Sequence, residues 1–180
     1  MAFATPARYT LPAIILHWLM AVLIFAALAM GLTMVDMRIS PDKLKLYSWH
    51  KWIGVTVFIL AALRLWWRLL QSPPAPLSMP LWQRRAAGVT HVLLYVLFFA
   101  VPVSGWLFSS AKGFPTVYLG LVPLPDLLQK NDDLAVVIKQ IHLIASYSMG
   151  ALVGLHVLAA LKHQFINKDG LMRRMLPGHT

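Results

Sequence analysis

The chain contains no cysteine and has little charge. Without cysteine there is no disulfide, no thiolate zinc or iron–sulfur site, and no haem attached covalently in the c-type manner. Only 12% of the residues are charged, against about 25% in ordinary soluble domains. Hydrophobic residues make up 59% of the 180 residues. The composition therefore excludes thiol chemistry and indicates a chain whose main solvent is lipid.

Four apolar segments divide the sequence, and each predicts a membrane-spanning helix. They cover residues of about 11–35, 47–70, 86–111 and 139–162, and about 20 residues are enough to cross a bilayer. The uncharged part of the second segment is short, but Lys51 and Arg64 at its ends are long enough to reach the headgroups. A strand barrel would instead alternate over segments of about 10 residues. We expect an all-α transmembrane four-helix bundle that forms a single domain over residues 1–180.

Lysine and arginine are distributed unevenly between the two sides of this predicted bundle. The side with both termini has nine of them and one aspartate, whereas the other side has seven and five aspartates. The positive-inside rule therefore predicts that both termini are cytoplasmic, and this placement accounts for the net charge of +10 without a nucleic-acid partner. A cleavable leader is the alternative for the first span. Its apolar run is longer than a leader core and cleavage would remove His17, so we expect the span to be retained.

Five of the seven histidines lie inside the predicted spans, where ionisable side chains are rare and usually functional: His17, His50, His91, His142 and His156. His142 and His156 are separated by close to four helical turns, which puts them on one face about 21 Å apart. By depth, His17 matches His156 and His50 matches His142. The spacing predicts two stacked sites, each with two imidazoles from different helices.

Two facing imidazoles could hydrogen-bond between helices, relay protons, hold a metal ion or ligate a haem iron. Zinc usually takes four ligands, often thiolates or carboxylates, and the spans contain neither. Haem iron in a helix bundle needs only the pair, and with both axial positions filled it carries electrons rather than oxygen. We predict two haems held by His17 with His156 and by His50 with His142. His91, at the level of the first pair, is an alternative ligand there.

Cationic side chains are the expected partners of haem propionates. Arg64 lies 14 residues beyond His50 on the same helical face, near the level of His17 and His156, and we predict that it binds the propionates of that haem. Lys51 or Lys139 could do the same at the level of His50 and His142, or each could simply extend to the membrane interface as an anchor. The loop between the third and fourth spans is expected to lie over the predicted periplasmic end of the bundle.

The sequence resembles the prokaryotic cytochrome b561 family over nearly its whole length. The resemblance is carried by Tyr9 and the His17-Trp18 pair, by His50 with Arg64, and by a tail pattern comprising Gly154-Leu155-His156, Ala159-Ala160-Leu161, His163, Lys168-Asp169, Met175 and Pro177. It implies a four-helix protein of the bacterial inner membrane with two b-type haems. It also implies the same two histidine pairs as ligands.

The resemblance further implies electron exchange with ubiquinone, and in one branch of the family the oxidation of periplasmic superoxide. Lys51, with other basic residues near it, is a candidate for attracting such an anion. His163 is a candidate for binding a quinone carbonyl or passing a proton. An alternative is a cytochrome subunit that relays electrons from a partner dehydrogenase or hydrogenase to quinone. A haem-free transporter with histidine relays is the third interpretation.

Overall fold

The computed structural model describes residues 8–71, 73–75 and 77–176, so Pro177 of the tail pattern lies outside the described residues. Within them the chain forms four long helices, α1 (Leu11–Asp36), α2 (Pro41–Leu70), α3 (Leu81–Ala111) and α4 (Asp132–Lys162). All four are long and apolar enough to cross a membrane. This agrees with the expected all-α four-helix bundle. We call the end where α1 begins and α4 ends the terminal end, and the opposite end the loop end.

Three helices begin five to seven residues before the predicted spans, and at two of them, α2 and α4, a polar cap starts the helix outside the apolar segment. At α2 the Ser40 side chain accepts a hydrogen bond from the Lys43 N–H, and Pro41 occupies the first turn. At α4 the Asn131 side chain accepts from the Leu134 N–H, and acidic residues occupy the first turn, where the helix dipole favours them. The apolar segments alone therefore underestimate the helices.

Consecutive helices pack along one another, and one buried cluster joins all four in the middle of the bundle. Its residues are Met20 and Ile24 of α1, Val57 and Ala61 of α2, Val101 of α3 and Met149 of α4. Along each helix these residues lie between the two predicted histidine levels. The outer faces expose apolar side chains such as Val22, at 65% exposure, as expected for a surface that faces lipid.

A β-hairpin covers part of the loop end. Strands β1 (Val117–Tyr118) and β2 (Val122–Pro123) pair antiparallel, and Gly120 adopts a positive φ of 72° in the turn between them. The hairpin is tied to α2, because the Trp52 indole N–H donates to the Val117 carbonyl at 2.7 Å and the Thr56 and Tyr118 hydroxyls lie 3.0 Å apart. The loop between α3 and α4 therefore contains a hairpin that is anchored to α2.

The chain reverses direction after α4 at the terminal end. A π-helical turn (His163–Asn167) follows α4, and Lys168 then takes a left-handed conformation with a φ of 52°. The returning tail contacts the start of the chain, since the Tyr9 N–H donates to the Arg174 carbonyl at 3.2 Å. The indole N–H of Trp18 also donates to the Met175 carbonyl, at 2.6 Å.

Candidate functional site

The loop end brings His50 of α2 and His142 of α4 together, with ring centres 6.3 Å apart and an interplanar angle of 88°. A backbone carbonyl of a neighbouring helix fixes the orientation of each ring. His50 Nδ1 lies 3.1 Å from the Ala27 carbonyl of α1, and His142 Nδ1 lies 3.1 Å from the Val101 carbonyl of α3. A carbonyl accepts from an N–H, so these contacts place the proton on Nδ1 and leave Nε2 with a free lone pair. That is the arrangement found for histidines that bind metals.

Sequence reasoning missed two residues beside His142. The Ser104 hydroxyl lies 3.0 Å from His142 Nδ1 and donates to the Val101 carbonyl at 2.9 Å. Gly105 faces the same ring so closely that an added Cβ would lie 3.0 Å from His142 Cε1. Both residues match His142 in depth, so a comparison of depth on α3 would have indicated them.

A second glycine accompanies His50 in a looser arrangement. A Cβ at Gly31 of α1 would meet His50 Cε1 at 3.6 Å, an ordinary contact distance. On α2 itself, a Cβ at Gly54 would meet no atom within 4 Å. The α2 face one turn from His50 therefore has space for a group lying against the helix.

Three imidazoles meet at the terminal end. His17 of α1 and His156 of α4 have ring centres 6.1 Å apart, and His91 of α3 approaches His156 at 5.6 Å. Arg64 of α2 lies at the same level, where its Nε donates to the Tyr95 hydroxyl at 3.2 Å. The predicted pair is therefore adjacent, but the His91 ring is closer to His156 than the His17 ring is.

Both predicted pairs have the spacing of two imidazoles that share one metal ion. A histidine nitrogen binds a transition metal at about 2 Å and lies about 1 Å from its ring centre, so opposed ligands have centres about 6 Å apart. The observed values are 6.1 and 6.3 Å. Within the described residues no group of three or more His, Asp or Glu side chains could hold a metal ion. Paired nitrogens without further ligands fit an iron whose other positions are filled by a porphyrin.

The remaining two candidate residues, Lys51 and His163, contact other parts of the chain. The Lys51 ammonium donates to the Phe114 carbonyl of the loop at 3.0 Å, so it anchors the segment before the hairpin. His163 begins the π-helical turn, and its Nδ1 lies 2.5 Å from Asp169 Oδ2. Partial burial raises the pKa of Asp169, but hydrogen bonds from His163 and from the Leu171 N–H bring it below its ordinary value. Asp169 as the partner of His163 was not predicted.

The chain is similar in sequence to known proteins over nearly its whole length. The sequence model of the family described as "Prokaryotic cytochrome b561" matches residues 8–178. The chain belongs to the prokaryotic cytochrome b561 family. It is thus a multi-pass, membrane-embedded electron-transfer protein of a haem b-binding family. The haem-free transporter interpretation loses its support.

Individual relatives agree with this membership. "Cytochrome b561 homolog 2" of Escherichia coli (strain K12) is 35% identical over 174 residues, which cover 96% of this chain and 93% of the relative. "Probable superoxide oxidase CybB" of Yersinia pestis is 30% identical over 178 residues, which cover 94% of this chain and 96% of the relative. "Cytochrome b561 homolog 1" of Escherichia coli (strain K12) is 31% identical over 174 residues, with coverage of 94% and 97%.

Proposed function

We propose that this chain is a dihaem cytochrome of the bacterial inner membrane that passes electrons from a periplasmic donor to ubiquinone. The observation that carries the proposal is the presence of two imidazole pairs, 6.1 and 6.3 Å between ring centres, at opposite ends of one bundle. A bound haem supplies one-electron redox chemistry at each pair. Two such sites in series connect the two membrane faces.

The protein holds each haem from two helices and fixes the orientation of its ligands. His50 and His142 would present Nε2 to the loop-end haem, because the Ala27 and Val101 carbonyls engage Nδ1. His17 and His156 would hold the terminal-end haem, with Arg64 placed to neutralise its propionates. The buried apolar cluster between the levels excludes water from the interval that electrons would cross.

We propose superoxide as the donor at the loop end, which the positive-inside rule assigns to the periplasm. The support is the printed name of the Yersinia pestis relative together with basic residues near that end, Arg38, Lys43, Lys45 and Lys51. Two superoxide anions would give up one electron each and become two molecules of dioxygen. One ubiquinone would take both electrons and two protons to become ubiquinol.

The His163–Asp169 pair is our proposed proton donor for ubiquinone at the terminal end. A carboxylate that accepts the Nδ1 proton stabilises the imidazolium and leaves the other ring nitrogen to exchange a proton. The 2.5 Å contact supports this arrangement. It would lie on the predicted cytoplasmic side, so the protons would come from the cytoplasm.

Counting haems in single histidine variants tests the ligand assignment. The purified protein is expected to bind two b-type haems per chain with a bis-histidine spectrum. His50→Ala and His142→Ala should each lose the loop-end haem, and His17→Ala and His156→Ala the other. His91→Ala is the matched control, in which both haems should persist. Loss of the terminal-end haem in His91→Ala but not in His17→Ala would assign that ligand to His91 instead.

The donor is tested separately with purified, haem-loaded protein in detergent. Superoxide is generated enzymatically and ubiquinol formation is followed in the absence of any other membrane protein. Ubiquinol formation that stops on addition of superoxide dismutase supports the proposed donor. A haem-loaded protein that forms no ubiquinol under these conditions would favour the partner-dehydrogenase alternative.

A further inference from the structure

The loop between α3 and α4 contains thirteen consecutive residues without charge, from Gly113 to Pro125. The β-hairpin in this stretch exposes large apolar side chains, which we call the hairpin tip: Leu119, Leu121 and Val122. Leu121 is 81% exposed and Val122 is 52% exposed. Neighbouring apolar side chains that are exposed together mark an interaction surface. The hairpin tip is therefore a candidate for contact with something other than water.

The contacts of the hairpin with α2 indicate its depth in the membrane. Lys51 is the last charged residue before the apolar part of α2. The Tyr118 hydroxyl lies 3.0 Å from the hydroxyl of Thr56, which is five residues beyond Lys51 and thus about 7.5 Å further along the helix. Trp52, which donates to the Val117 carbonyl, directly follows Lys51. The hairpin therefore lies beside the apolar part of α2.

A second anchor gives a similar depth on α3. The Trp106 indole N–H donates to the Pro125 carbonyl at 3.1 Å. Trp106 lies six residues before Lys112, the charged residue that follows the apolar segment of α3, and thus about 9 Å along the helix from it. Tryptophans that pair an apolar ring with one hydrogen-bonded N–H are typical of the boundary between headgroups and acyl chains. The two ends of the hairpin are therefore both held at membrane depth.

Hydrogen bonds within the protein satisfy backbone groups of the hairpin, as contact with lipid requires. The Leu121 N–H donates to the Tyr118 carbonyl at 3.0 Å, and the Leu124 N–H donates to the Thr116 carbonyl at 2.8 Å. Three residues of the uncharged stretch are prolines, which have no N–H to satisfy. The hairpin can therefore meet an apolar solvent without leaving these donors unpaired.

We propose that the hairpin is embedded in the lipid leaflet at the loop end, where the hairpin tip contacts phospholipid acyl chains. The depth of its anchors on α2 and α3 identifies this occupant, because the solvent around the apolar part of a spanning helix is hydrocarbon. The absence of charge from the stretch agrees with it. The hairpin then forms a side wall of the bundle at the level of the spans. The proposal depends on no haem assignment.

Site-directed spin labelling tests the proposal, because the chain has no cysteine that would take a second label. Leu121→Cys and Val122→Cys are each labelled with a nitroxide, and the haem-loaded protein is reconstituted in phosphatidylcholine vesicles. Power saturation measures the accessibility of the nitroxide to oxygen and to a polar nickel chelate, each relative to the same sample under nitrogen. Oxygen concentrates in acyl chains, whereas the chelate stays in water. The two measurements together therefore distinguish lipid, water and protein as neighbours of the label.

Two labelled reference variants calibrate these accessibilities. Val22→Cys lies on the exposed apolar face of α1 and represents lipid. Gln129→Cys is the matched control, because it is exposed in the same loop as the hairpin and lies beside the charged Lys130. A polar chelate is excluded from hydrocarbon, so we expect its accessibility at both hairpin positions to be about tenfold lower than at Gln129. Oxygen accessibility there should be close to that at Val22.

Each outcome supports or overturns lipid contact. Low nickel accessibility with high oxygen accessibility at Leu121 and Val122 supports it. Nickel accessibility equal to that at Gln129 would place the hairpin tip in water and overturn it. Low accessibility to both reagents would show that protein covers the tip, either a second copy of this chain or a partner subunit, and would overturn it as well. An unchanged haem content in the labelled variants is the check that the fold is preserved.

Discussion

Gly105 lies so close to the His142 ring that a single added methyl group is expected to weaken the loop-end haem site. In Gly105→Ala the new Cβ would lie 3.0 Å from Cε1 and 3.3 Å from Nδ1 of His142. Ordinary carbon contacts are about 3.5 to 4.0 Å, so the imidazole has to move by roughly half an ångström. The backbone of α3 is fixed by its helix, which leaves the ring as the part that shifts.

The expected loss of haem affinity follows from the hydrogen bonds that orient the His142 ring. His142 Nδ1 lies 3.0 Å from the Ser104 hydroxyl and 3.1 Å from the Val101 carbonyl, and both distances lengthen when the ring moves. Two such bonds contribute about 2 kcal/mol, which corresponds to an affinity about 30-fold lower. Losing a hydrogen-bond partner of a metal-binding histidine typically lowers the metal affinity 10- to 100-fold, which agrees with this value. Alanine is the better helix former by about 1 kcal/mol, so the fold itself should survive.

The assay is the haem content and the rate of haem loss of the purified variant, compared with two other glycine variants. Gly31→Ala should have a small effect, since its Cβ would meet His50 at 3.6 Å. Gly88→Ala, on the same helix as Gly105 with nothing within 4 Å, should have none. Unchanged haem retention in Gly105→Ala, or equal losses in Gly105→Ala and Gly88→Ala, would refute the reasoning.

Three further predictions concern charged side chains. Arg64→Gln should lower the reduction potential of the terminal-end haem by on the order of 60 mV, because one nearby positive charge worth about 1.4 kcal/mol is lost. Redox titration measures this potential. An unchanged value would place Arg64 away from the haem. Lys51→Met removes the donor to the Phe114 carbonyl and should raise hydrogen exchange in the segment before the hairpin, while haem content stays constant; unchanged exchange would contradict an anchoring role. The pKa of Asp169 is lowered in the folded protein, so the tail contact is fully present above the ordinary aspartate pKa of about 3.9 and is lost as the pH falls through the lower folded value. Hydrogen-exchange protection of the Leu171 amide, which donates to Asp169, should fall over the same pH range, and protection that is independent of pH would contradict the Asp169 contact.

The helices and the adjacency of the histidines could be predicted because they depend on periodicity and length. Apolar segments of about 20 residues have one stable arrangement in a bilayer, and His142 and His156 share a helical face whatever else surrounds them. The helix starts could not be located in the same way. They depend on Ser40 and Asn131 as caps, and capping geometry is visible only once the backbone is known.

The parts of the site that sequence did not predict depend on neighbouring helices. A comparison of depth puts Gly105 level with His142, but it does not show that the Val101 carbonyl and Gly105 face the His142 ring, because such contacts are set by the rotation of one helix against another. The His163–Asp169 contact likewise needs the left-handed residue Lys168, which reverses the chain. Comparing depths along the spans predicted that His91 lies at the level of His156, but it did not predict how close the two rings are.

One histidine of each pair lies on α4, and this single helix therefore links the two paired sites mechanically. The core residue Met149 lies midway between His142 and His156. Inserting one residue there would rotate one half of α4 by about 100° and shift it by about 1.5 Å relative to the other. Only one histidine could then remain in register with its partner, so the number of residues between these two positions is fixed by the distance between the two paired sites.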